Sequence, residues 1–214
     1  MSASNTIQSI CHLQRQQRVA EQQLADEHKP AAIREAIVAA LAEARGKLGD
    51  FDAYVDLETL CDLAPSVEGP EIVDELLAVL NHDEPMVRLA AGEALLETGY
   101  ERFAELAHGV ERQLSAGGDG PAMMETPLIL AEIGEPGSLV LIRRFLAHDN
   151  ADVVASSIES LYRLGDPEAI ADIARFTNDG RIVQIDDFGQ ETRATLADLA
   201  SECLEALQEA VEGR

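Results

Sequence analysis

Two tandem His-Asp pairs, His82-Asp83 and His148-Asp149, set imidazole beside carboxylate, a donor set that divalent transition metals accept. Each pair falls between two apolar helical runs, where an Asp also serves as a cap, accepting the free N–H groups of the next helix. The pairs stand 66 positions apart, at the same point of a repeated pattern, too distant to share an ion. No metal site is therefore expected. Cys11, Cys61 and Cys203 lack metal or redox spacing and read as reduced thiols. Cys203, four residues from both Leu199 and Leu207, reads as core. The stretch SAGGDG (115–120) has glycines but no Lys and no preceding strand, so it reads as a linker and not a phosphate loop. Nucleophile elbows and Cys/His pairings are absent from the sequence. The expectation is a protein that is not an enzyme and needs no cofactor.

Carboxylates are the remaining chemistry. The net charge is −24, and its placement is uneven. Residues 1–49 carry six Lys or Arg against five Asp or Glu, whereas residues 50–214 carry ten against thirty-five. A field of that sign repels phosphate backbones and anionic lipid, so nucleic acid and membrane surfaces are unfavoured partners. Three readings stay open: solubility, adaptation to a salty cytoplasm (Lys29 and Lys47 are the sole lysines), and attraction for a basic protein. Glu93, Glu97, Glu125, Glu132 and Glu159, with Glu191, Asp198 and Glu202, fall on the second helix of successive helix pairs. Glu93 and Glu159 hold equivalent positions and are expected to align as a ladder on one face. Stacked like charges are costly unless a cationic partner covers them.

The elements that place these residues are legible from periodicity. LLAVLNHDEPMVRLAAGEALLETG (76–99) returns as IRRFLAHDNADVVASSIESLYRLG (142–165), pairing Leu80 with Leu146, Val87 with Val153, Leu95 with Leu161 and Gly99 with Gly165. A similar unit lies between them and ends at Gly134. A helix-pair unit recurring every 30 to 40 or so residues is the mark of an α-solenoid. The expected helices are 5–27, 31–48, 52–64, 70–80, 85–98, 101–114, 121–133, 136–147, 151–164, 167–177 and 190–209. Pro127 is expected to kink its helix, or to delay its start with Thr126 as cap. Residues 179–189 stand out as a long connection with Ile182, Val183, Ile185 and Phe188 beside Asp186 and Asp187. Arg181 to Phe188 is the one strand-like run. A connection this apolar either packs over the final helix or meets a partner. The first residues contain no apolar signal core, and no apolar run is long enough to span a bilayer, so a cytoplasmic location is expected.

The H-D turns, the Val that follows, the Ala-rich second helices and the closing Leu-x-x-x-Gly resemble HEAT repeats of the short bacterial class, across roughly residues 50–177. The resemblance implies a curved stack whose second helices line a concave face that holds protein ligands. Some proteins of this class are di-iron deoxyhypusine hydroxylases with His-Glu pairs on their second helices. The corresponding positions here read Leu89-Ala90 and Ala155-Ser156, which leaves nothing to hold iron. Others excise alkylated bases from DNA, which needs a basic, aromatic-lined groove that this chain lacks. Others are bilin lyases, a likeness that rests on the repeat alone.

The sequence thus predicts an all-α protein, a right-handed α-solenoid of about five antiparallel helix pairs (30–214) with a polar N-terminal capping helix or oligomerisation arm (1–29). Its expected role is an adaptor or scaffold offering an acidic concave face to a basic protein partner. The residues expected to carry this are Glu93, Glu97, Glu125, Glu132, Glu159, Asp186, Asp187 and Phe188. Alternatives are an inhibitor or immunity protein that neutralises a basic toxin or nuclease, and a bilin lyase-like enzyme.

Overall fold

The computed structural model describes residues 3–47, 49–187 and 190–212. Most of the described chain is helical. In order come α1 (Ala3–Glu27), α2 (Pro30–Arg45), α3 (Phe51–Leu63), α4 (Pro70–Val79), a long kinked α5 (Pro85–Ser115) and α6 (Pro121–Ile133). There follow α7 (Pro136–Phe145), α8 (Ala151–Leu164), a short α9 (Ile170–Ile173) between two 3-10 turns, β1 (Ile182–Asp187), β2 (Gln190–Thr195) and α10 (Leu196–Glu212).

Proline sets many of the starts. Pro30, Pro70, Pro85, Pro121 and Pro136 open their helices, where the missing N–H had no intrahelical partner to lose. Gly134 and Gly165 close α6 and α8 in the left-handed region, at φ 66° and 63°, which a Cβ would disfavour. Their sequence counterpart Gly99 does something different. The chain stays helical through it and breaks at Arg102 (φ −140°, ψ 55°), so the expected interruption between Thr98 and Glu101 lies further along. A Cβ on Gly99 would stand 2.3 Å from Ile133 Cδ1 and 2.9 Å from Leu106 Cδ2. Close approach, and not a cap, is what this glycine permits. The Arg102 guanidinium holds the corner: Nη2 donates to Pro65 O at 2.8 Å, and Nε to Glu105 at 3.2 Å.

Pro127 neither kinks α6 into two helices nor delays its start. The helix runs from Pro121 to Ile133 with Pro127 buried inside it, and Thr126, expected as a cap, instead donates its hydroxyl to Ala122 O at 2.6 Å. Pro127 has no N–H for the carbonyl of Met123. The neighbouring carbonyl, Met124 O, accepts a hydrogen bond from Ser156 Oγ of α8. This bond ties α6 to α8 at the turn that carries the proline.

Packing is between neighbours in the chain and one element beyond. α2 rests on α3 and α4, α6 on α7 and α8, and α8 on α10. The first half of α5 meets α6, with Arg88 paired to Glu125 at 2.9 Å and Gly92 facing Ile129. Its second half meets α4 and α7, where Arg112 pairs with Asp74 at 2.8 Å and Gly137 faces Phe103. One continuous apolar core runs from Ile37 to Leu207.

The C-terminal region corrects the sequence reading most. Residues 190–195, expected as the start of the last helix, are a strand that pairs antiparallel with 182–187, Ile182 opposite Thr195 and Asp187 opposite Gln190. The physical reason is a capping box, T-L-A-D, that starts α10 later. Asp198 N donates to Thr195 Oγ1 at 3.1 Å and Thr195 N donates to Asp198 Oδ2 at 3.0 Å. The Thr195 hydroxyl also donates to Asp198 Oδ2 at 2.6 Å, and this bond, followed by that from Thr195 N, holds the Asp198 carboxyl below its ordinary pKa. Residues 182–187 of the long connection thus form a strand, as their strand-like run suggests, and pair with 190–195. Val183 is buried, and Gln184 N donates to Asp152 of α8 at 3.3 Å.

Gly109 supplies a direct test of this packing. A Cβ there would lie 2.3 Å from Val73 Cγ1, a side chain with little rotamer freedom in a helix. Gly109→Ala should cost about 1–3 kcal/mol in denaturant unfolding. Gly180→Ala, with nothing within 4 Å of its new Cβ, should stay within about 0.5 kcal/mol of wild type.

Candidate functional site

The first half of α5 presents one exposed row, Met86, Leu89, Glu93, Glu97 and Tyr100, at helical spacing. Apolar side chains occupy its ends, and the carboxylates lie between them. Met86, Leu89 and Tyr100 are 55%, 53% and 59% exposed. Glu93 and Glu97 are exposed, and among the described residues neither has a cation partner. Neighbouring helices extend the row. Tyr54 near the start of α3 meets His82 just before α5, and Pro65 just past the end of α3 bonds Arg102. α3 therefore runs alongside the first half of α5 in the same direction, and exposed Phe51 and Val55 lie in the turns of α3 nearest the start of α5. On the other side, Tyr100 donates its hydroxyl to Glu132 O at 3.4 Å, which brings Glu132, exposed and without a cation partner among the described residues, beside the acidic end. The result is a face with an apolar end and an acidic end.

The structure separates the other expected residues from this face. Glu125 is only partly exposed and is paired with Arg88, whose Nη1 also donates to His82 O and Asp83 O. Glu159 does not stand in an open ladder with Glu93. It is half-buried on the side of α8 where α10 packs, where Cys203 has its thiol pKa raised by burial first and by the Glu159 charge second. Burial raises the Glu159 pKa, and Arg163 offsets part of the effect. Asp186 and Asp187 end β1; their side chains lie outside the described set, as does the side chain of Glu191, and Phe188 lies outside the described residues altogether. Asp198 is the carboxylate of the α10 capping box, and Glu202 is exposed on α10.

The His-Asp pairs have a structural use, and it belongs to the histidines. His82 Nδ1 accepts from Glu84 N at 3.0 Å, and His148 Nδ1 accepts from Asn150 N at 3.1 Å. His148 Nε2 lies 3.1 Å from Gly118 O, while the buried His82 ring meets Tyr54 edge-on at 5.1 Å. The capping expected of Asp83 and Asp149 falls elsewhere, since α8 is capped by Asn150, which accepts from Asp152 N. An imidazole accepts at Nδ1 without the charge or desolvation cost of a carboxylate, which suits a tight turn packed on a core. Among the described residues no three His, Cys, Asp or Glu side chains converge to hold a metal ion, and no helix is long and apolar enough to cross a membrane. Cys61 and Cys203 are buried, and desolvation pushes their thiols up to about 12 and about 11.

Protein-family models give no match to the chain. No curated protein matches it either.

The apolar end of the face was overlooked in the sequence. Met86 and Leu89 interrupt the polar side of an amphipathic helix, and that interruption was the available signal.

Glu159 allows a pH test. Its folded pKa is raised, so ionising it opposes folding. The penalty is absent below the ordinary carboxylate range, grows as pH rises towards the raised value, and stays constant above it. Glu159→Gln removes the penalty and should stabilise the protein at neutral pH by under about 1 kcal/mol, because the site is partly open to solvent. That gain should vanish near about pH 4, read by urea unfolding across the pH range.

Proposed function

We propose that helices α2 to α10 form a right-handed HEAT-like solenoid of about five helix pairs and act as a non-enzymatic protein-binding module. Support for the solenoid comes from α3, the first half of α5, α6 and α8. Their cross-contacts link equivalent levels: Pro65 with Arg102, Arg88 with Glu125, and Ser156 with Met124. In such a stack these second helices line the concave side, and the face built on α3, α5 and α6 opens onto it.

The observation that carries the binding reading is the row on α5: two unpaired, exposed carboxylates flanked by exposed apolar side chains. A solvated face has no need of Phe51, Val55, Met86 and Leu89 on its surface, and an exposed apolar cluster edged by charge marks an interaction site. Its complement is a basic protein segment that also carries apolar anchors. The carboxylates steer the encounter, and Met86, Leu89 and Phe51 hold the docked segment.

The partner captured from native lysate at low salt supplies the ligand for a quantitative test. Its affinity should fall as salt rises. The triple variant Glu93→Gln, Glu97→Gln, Glu132→Gln should bind about tenfold more weakly, mainly through slower association. Leu89→Asp should lose affinity mainly through faster dissociation. Equal affinities for wild type and both variants would remove this face from consideration.

A further inference from the structure

The N-terminal helix carries apolar residues that the rest of the fold does not use. Ile7, Ile10 and Leu13 are 61%, 52% and 63% exposed. Within α1, Glu21 and Leu24 alone among the described side chains are less than exposed, so its contact with the stack is confined to its C-terminal turns, where Leu24 faces a cleft shared with Ile33 and Leu63. Most helix stability in proteins comes from packing of an amphipathic face, which the exposed turns of α1 do not have within the chain. Its internal support is a set of local bonds such as Gln17 to Glu21 and Gln22 to Asp26.

Ile10, Leu13, Gln17 and Ala20 recur at alternating spacings of three and four, the two core positions of a heptad, with Ile7 beside them; Leu24, next in the series, is already taken up by the cleft. One polar side chain at a core position, Gln17, is a device that sets register at some cost in stability.

Charge selects what covers this seam. The positions flanking it are Ile7, Gln14 and Glu21 on one edge and Ser9, Gln16 and Gln23 on the other, so Glu21 is the one charged residue among them. Two copies of α1 meet there without a like-charge clash. Residues 50–214, with thirty-five acidic and ten basic side chains, repel their own copy on approach. A basic partner helix would gain more against that acidic part than against a near-neutral seam.

We propose that α1 is a self-association arm, its Ile10 and Leu13 seam, edged by Ile7, packing against the same seam of a second copy to make a homodimer.

Sedimentation equilibrium on the full chain tests this. Wild type should run at twice the 23.1 kDa chain mass at high micromolar concentration. Added salt should strengthen the dimer, because the seam is nearly uncharged and screening relieves repulsion between the acidic parts. The double variant Ile10→Asp, Leu13→Asp should sediment as a monomer while its unfolding temperature stays that of the wild-type stack, since both side chains stand clear of it. Cys11 is the exposed thiol on the same helix, with Cys61 and Cys203 buried. Donor and acceptor dyes placed at Cys11 on separate samples should show energy transfer after mixing in wild type and none in the variant. A wild-type monomer at every concentration would overturn the proposal. A dimer that survives the double substitution, or one that salt dissociates, would overturn it equally.

Discussion

The stack depends on how closely its neighbours approach α5. This helix touches α3, α4, α6 and α7, and two of its glycines stand where a side chain would collide, Gly99 against Ile133 and Gly109 against Val73. A third, Gly92, faces Leu80 and Ile129 at ordinary contact distance. A glycine inside a helix costs backbone entropy, roughly 0.5–1 kcal/mol each against alanine. The loss is offset by tight burial of Val73, Leu77, Leu106 and Ile133, all of them in the core. The kink at Arg102 belongs to the same constraint. It turns the second half of α5 towards α4 and α7 while the first half stays on α6, so one helix packs against two sets of neighbours.

Cations are scarce in this chain, and their placement explains which carboxylates remain free. Arg45, Arg88, Arg112, Arg143 and Arg144 each reach across to a carboxylate on another element: Glu75, Glu125, Asp74, Asp172 and Glu111. Pairs this exposed add little stability individually, but each removes one acidic group from the unbalanced set. None reaches Glu93, Glu97 or Glu132. The free negative charge on α5 and α6 therefore sits where the basic side chains have been committed elsewhere, and next to it lie the apolar side chains that the core leaves uncovered.

How much of this was legible in the sequence differs by element. The helical runs in 76–99 and 142–165 were, because the 66-residue echo repeats apolar spacing and turn chemistry together. Gly99 was misread because a glycine after an apolar run signals a cap or a close approach equally well, and only the position of Ile133 decides between them. Strand β2 was hidden in Q-E-T-R-A-T, which carries one β-branched residue in three and continues smoothly into helix-forming sequence. The Thr195–Asp198 capping box was its visible boundary. In the candidate face, the acidic positions were legible as a repeat, but their states were not. Glu93 and Glu159 occupy equivalent positions, and their difference arises from the packing of α10 over α8, which no local pattern encodes.

The junction between α1 and α2 explains why the arm is free to act separately. Lys29 precedes Pro30 and is extended, at φ −76° and ψ 144°, the conformation that a following proline enforces. The two helices cannot merge across it, so α1 leaves the stack in a direction set by one restricted residue. Because α1 lends the stack few side chains, changes along Ile7 to Leu13 act on association and leave folding alone. The acidic face lies on different helices, and its attraction for cations weakens with salt, whereas the near-neutral seam gains from screening. Ionic strength therefore separates the two proposed contacts by the sign of its effect, and the residues proposed for the one are not those proposed for the other.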